Sequence, residues 1–110
     1  MGHDISGYNK KGEEIAYARF SMGNRNAIIL YNLLESVTSY AGVSGSGRSS
    51  TFSKQQMEKS LQACKQFFNK NAASFSGNEF LEWDQKQIQT FIQGCLETAQ
   101  KEGVVRVYFG

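Results

Sequence analysis

The sequence predicts one compact α+β domain over residues 1–110, with elements in the order β-β-α-α-α-β. A small three-stranded, mainly antiparallel sheet would carry three helices packed on one face. Three observations lead there. A β-hairpin pattern opens the chain. Helical periodicity fills its middle and contains two copies of the same helix-start signal. The run Val104-Val105-Arg106-Val107-Tyr108-Phe109, rich in β-branched and aromatic residues, follows the last helix.

Each element has a local reason. Residues 3–8 and 14–20 read as strands around the polar turn Asn9-Lys10-Lys11-Gly12, where Gly12 can take a positive φ. Ala16, Ala18 and Phe20 alternate with Ile15, Tyr17 and Arg19. Ser21-Met22-Gly23-Asn24 breaks the second strand, and Asn24 can cap the first helix. That helix is carried by Ala27, Leu30, Leu34, Val37 and Ala41 at helical spacing and would end at Gly42. Phe52-Ser53-Lys54-Gln55-Gln56-Met57 combines a capping box, Ser53 with Gln56, and a hydrophobic staple, Phe52 on Met57. Met57, Leu61, Cys64 and Phe68 then form one stripe. Phe75-Ser76-Gly77-Asn78-Glu79-Phe80 repeats the device before a third helix bearing Leu81, Ile88, Phe91, Ile92, Cys95, Leu96 and Ala99. Gly94 within it marks close packing, and Gly103 ends it. Beyond their starts the two helices share little, so no duplicated unit follows. The terminal strand would pair with the hairpin and leave an edge open to a second subunit.

Composition narrows the function. An apolar content of 40% supports one core. A net charge of +2, with the basic residues scattered along the chain, gives no strong nucleic-acid signal. No apolar run approaches the ~18 residues of a membrane span, so no membrane partner is expected. Cys64 and Cys95 sit among apolar residues and read as buried free thiols, which fits a cytoplasmic setting. Met1-Gly2 loosely fits a lipidation pattern, but His3 suits that reaction poorly and the segment reads as a strand. The single His3 gives no support for a metal or a catalytic role, and no cofactor is expected. Glu79, Glu82 and Asp84 complement the dipole of the third helix, and Trp83 offers a packing or partner anchor.

Two features carry functional readings. The first is the loop of residues 42–51. Gly42, Gly47, Arg48 and Ser49 stand one substitution away from a phosphate-loop pattern. The context excludes a nucleotide hydrolase. A helix precedes the loop, the next helix starts late at Ser53, and no acidic strand follows. What remains is an anion contact made by Gly45, Ser46, Gly47, Arg48 and Ser49, or else a plain surface linker.

The second is the sheet face away from the helices. Alternation places Tyr17, Arg19, Arg106 and Tyr108 there, with Asp4, Ser6 and Tyr8 extending the set. Tyrosines interleaved with arginines suit stacking a base and pairing a phosphate. The same residue types suit an interface, and a plain solvated face is the third possibility. The expectation is a non-enzymatic protein that binds, and by binding sequesters, a small anionic nucleotide-like ligand. The alternative is an interaction or inhibitor module that forms a homo-oligomer through its Tyr/Arg face.

Overall fold

The protein is described by a computed structural model, covering residues 2–21, 26–39, 41, 44–70 and 79–110. The elements are β1 (Gly2–Tyr8), β2 (Glu14–Ser21), α1 (Ala27–Leu33), a 3-10 turn (Val37–Ser39), β3 (Arg48–Ser53), α2 (Lys54–Lys70), α3 (Glu79–Glu102) and β4 (Val104–Phe109). The strands form a four-stranded sheet in the order β2-β1-β4-β3, with every neighbouring pair antiparallel.

The expected α+β architecture is therefore present, but the three-stranded sheet and the β-β-α-α-α-β order are corrected. Arg48–Ser53 is a strand inserted between α1 and α2, so the order is β-β-α-β-α-α-β. Ser49, Thr51 and Phe52 supply the β-compatible part of a segment whose composition reads as loop. Phe52 is buried, whereas Ser49 and Thr51 are exposed. The ladder groups on the free side of β4 need partners, and β3 provides them. β4 is consequently an interior strand, and the expected open edge at the end of the chain is occupied.

The hairpin forms as expected. β1 and β2 pair from Gly2↔Ser21 to Gly7↔Ala16, with an irregularity at Gly7/Tyr8. In the turn, the Asn9 side-chain oxygen accepts hydrogen bonds from the N–H groups of Lys11 and Glu13, both at 3.0 Å. Gly12 takes φ +82°.

α1 is shorter than its apolar pattern implies. The N–H of Ser36 bonds the Tyr31 carbonyl at 2.8 Å, and that of Glu35 bonds Asn32 at 3.0 Å. This is the Schellman arrangement, and Glu35 fills its left-handed position at φ 54° where glycine is usual. The expected Asn24 cap and the Gly42 stop lie outside the described residues.

α2 starts as its sequence signal requires. The Gln56 N–H bonds Ser53 Oγ at 3.2 Å, and the Ser53 N–H bonds Gln56 Oε1 at 2.7 Å. The staple residues Phe52 and Met57 are both buried. Because Ser53 is also the last residue of β3, strand passes into helix without a loop. The matching Ser76 signal before α3 lies outside the described residues. At the other end of α3, Gly103 takes φ +87° and its N–H bonds the Ala99 carbonyl at 2.7 Å.

The core lies between the helices and one sheet face. Ile5, Ala18, Phe20, Phe52, Val105, Val107 and Phe109 point inward and are buried. They meet Leu30, Tyr31, Met57, Phe68, Ile88, Phe91, Ile92 and Leu96. α3 approaches β1 and β2 closely. A Cβ on Gly7 would lie 2.8 Å from Cys95 Sγ, and one on Gly94 would lie 3.3 Å from the Ile15 carbonyl oxygen. The close packing expected at Gly94 is thus present. His3 is fully buried, with Nδ1 2.9 Å from the Tyr31 hydroxyl. Cys64 and Cys95 are free and buried, and burial pushes their thiols up to about 11 and about 12. Both remain protonated at neutral pH and are poor nucleophiles. No described helix is long and apolar enough to cross a membrane.

The segment before β3 is fastened to the end of β4. The Gly45 N–H bonds the Gly110 carbonyl at 2.8 Å, and the Gly47 N–H bonds that of Phe109 at 2.7 Å. A Cβ on Gly45 would lie 2.6 Å from the Phe109 carbonyl carbon and oxygen and 2.9 Å from the Tyr31 hydroxyl. Gly45→Ala should therefore lower stability by roughly 1–3 kcal/mol, the usual cost of overpacking. Chemical denaturation checks this, and an unchanged midpoint would show that the clip is dispensable.

Candidate functional site

The outer face of the sheet is the candidate site. Cross-strand register sorts its side chains into rows. Ser6 lies opposite Tyr17 on one side and Tyr108 on the other, and Ser49 lies beyond Tyr108. The middle row therefore reads Tyr17-Ser6-Tyr108-Ser49 across all four strands. A second row runs Glu14-Tyr8-Arg106-Thr51, and a third pairs Arg19 with Asp4. The short Ser6 is buried between its two tyrosine neighbours. Tyr17 and Tyr108 stay 49% and 38% exposed, so their rings are available to a partner.

These side chains hold one another in place. The Tyr17 hydroxyl donates to Asp4 Oδ1, and Arg19 Nε lies 3.7 Å from the same oxygen. The hydrogen bond to Asp4 is the main reason the Tyr17 phenol titrates above its ordinary value, with burial and the Asp4 charge adding to it. The Arg106 guanidinium sits over the Tyr8 ring, 4.8 Å from its centroid, which orients it by a cation–π contact.

Tyr17, Arg19, Arg106 and Tyr108 are thus brought onto one face, and Ser49 joins them. The rest of the loop set lies elsewhere. The N–H groups of Gly45 and Gly47 bond Gly110 and Phe109 carbonyls, and that of Ser46 bonds the Ser39 carbonyl at 2.8 Å. Arg48 is exposed but pairs with Phe109 in the ladder, which places it on the opposite side from Tyr108.

Two further residues adjoin the face. Trp83, 66% exposed, and Lys86 line a hollow of about 320 Å³ together with Tyr17, Gln87 and Thr90. Gln87 closes the β2 edge there. Its Oε1 accepts from the Arg19 N–H at 2.7 Å, and its Nε2 donates to the Arg19 carbonyl at 2.9 Å. Sequence reasoning singled out Trp83 but not Lys86. The spacing Trp83, Lys86, Gln87, Thr90 marks one helix face, but nothing in the sequence aligns that face with Tyr17.

Two larger hollows lie on the helix side. One of about 630 Å³ runs between β2, α2 and α3, lined by Ile15, Leu61, Lys65, Gly94 and Glu97 among others. One of about 440 Å³ borders β3, with Lys59 paired to Glu35 at 3.0 Å beside it. Among the described residues, no group of three or more His, Cys, Asp or Glu side chains could hold a metal ion. No family model matches the chain, and no curated protein or solved structure matches it.

The face offers exposed rings for stacking, guanidinium groups for phosphate or carboxylate, and hydroxyls for hydrogen bonding. Removing the acceptor tests its internal wiring. In Asp4→Asn the carboxylate that favours the protonated phenol is gone, so Tyr17 should titrate at lower pH than in the parent. Resolved ring signals followed by NMR across alkaline pH would show it. An unmoved or raised Tyr17 titration would remove Asp4 as the cause.

Proposed function

We propose that the chain is a non-enzymatic binding protein that takes a small anionic, nucleotide-like ligand on its open sheet face. One observation carries the reading. Tyr17 and Tyr108 flank Ser6 in a single row, with Arg19 and Arg106 beside them on the same exposed surface. A planar base stacks on a tyrosine, and a phosphate is met by the neighbouring guanidinium. The sheet end uses the amides of Gly45 and Gly47, so Ser49 is the loop residue that would contribute to this face. Two buried free thiols suit a reducing cytoplasm as the place of action.

A thermal-shift screen over nucleotides and phosphorylated metabolites tests the reading. Ligand at a hundredfold excess over its Kd adds about 2.7 kcal/mol to stability, which raises Tm by roughly 10 °C. Tyr108→Ala and Arg106→Ala should abolish the rise while leaving the unliganded Tm near that of the parent, because both side chains are exposed. No shift across the panel would overturn the proposal.

A second copy of the chain is the other occupant the face would suit. The supporting observation is that its arginines already have partners within the chain, Arg19 with Asp4 and Arg106 with Tyr8. Covering paired charges costs less than covering bare ones. Sizing chromatography should then show a dimer that Arg106→Glu dissociates. A monomer at all concentrations would dismiss this alternative.

A further inference from the structure

We infer that the face is laid out for a single-stranded nucleic acid rather than for a free mononucleotide. The inference rests on the reading of the face as a binder of base-bearing anions and specifies how many such units it takes. The exposed large apolar side chains among the described residues are Tyr17, Trp83 and Tyr108. They are dispersed in sequence but follow one track in space. Tyr108 on β4 and Tyr17 on β2 lie two strands apart, about 10 Å at ordinary strand spacing. Tyr17 and Trp83 then line the same hollow around the β2 edge.

Each ring has its own cation. Arg106 stands two residues before Tyr108 on the same face of β4. Arg19 stands two residues after Tyr17 on β2, and Lys86 follows Trp83 by one helical turn in the shared hollow. The unit is one stacking ring and one cation, and it occurs three times along the track. A mononucleotide needs one such unit, whereas a repeated ring-and-cation pattern matches a chain of bases joined by phosphates. Two acidic groups border the track: Glu14 stands at the β2 end of the row that carries Arg106, and the exposed pair of Asp4 with Arg19 is weak enough to yield to phosphate. The basic residues look scattered along the sequence, yet the fold collects Arg19, Lys86 and Arg106 around these rings.

The chain contains one tryptophan, so its emission reports on the far end of the track. Fluorescence titration should compare thymidine monophosphate with an oligothymidylate of about eight nucleotides. The oligomer should quench Trp83 and bind at least about tenfold more tightly than the monomer. Its affinity should fall with salt at a log–log slope of about −2, as three neutralised phosphates require. Arg106→Ala and Tyr108→Ala, two strands away from Tyr17, should weaken oligomer binding with the unliganded emission unchanged. Equal affinities for monomer and oligomer would overturn the extended track and leave the small-ligand reading standing. Quenching insensitive to salt and to both substitutions would also overturn it. Absence of binding to either probe, together with no thermal shift, would overturn both readings. Dimerisation that competes with the oligomer would support one shared face, and dimerisation with no oligomer binding would sink the track in favour of a protein partner.

Discussion

The carbonyls of Phe109 and Gly110 tie three separate parts of the chain together. The Gly110 oxygen accepts from Asp4 N–H at 3.2 Å and from Gly45 N–H at 2.8 Å, while the Phe109 oxygen accepts from Gly47 at 2.7 Å. The Phe109 ring lies 5.3 Å from that of Tyr31, whose hydroxyl meets the buried His3. β1, α1 and the entry to β3 therefore converge on the end of β4. Without that convergence β3 has no strand to pair with, and β1 loses one of its two neighbours. The three contacts share acceptors at one chain end, so displacing the end of β4 would loosen all of them.

The same strand sets out the candidate site. Along β4 the residues Val105, Val107 and Phe109 go inward, which obliges Arg106 and Tyr108 to go outward. Antiparallel register then aligns Tyr108 with Ser6 and Ser6 with Tyr17. The row of rings follows from strand pairing and needs no irregular backbone. Side chains placed this way stand on regular strands and contribute little to the core, so the proposed binding role can be tested by substitution separately from the fold.

Much of this was legible in the sequence. The hairpin, the Ser53–Gln56 helix start, the Gly103 stop and the two-sided character of the last strand each rest on local chemistry. What was not legible depends on distant partners. Arg48–Ser53 has a loop-like composition and becomes a strand because β4 presents unpaired ladder groups to it. α1 ends at a left-handed Glu35, a conformation its residue type does not announce, while Val37 and Ala41 keep the helical pattern going. The glycine amides before β3 look free in sequence because their acceptors are more than sixty residues away, at Phe109 and Gly110. Lys86 joins Tyr17 through the docking angle of α3 against β2, which no local pattern encodes.

The Gln87 amide has a consequence of a different kind. It makes with Arg19 the paired donor and acceptor bonds that a neighbouring strand would make. An exposed strand edge is the template on which sheets extend from one molecule to the next and on which fibres grow. By filling part of that template with a side chain of its own helix, the protein shortens the stretch of β2 open to a further strand while leaving the flat of the sheet uncovered.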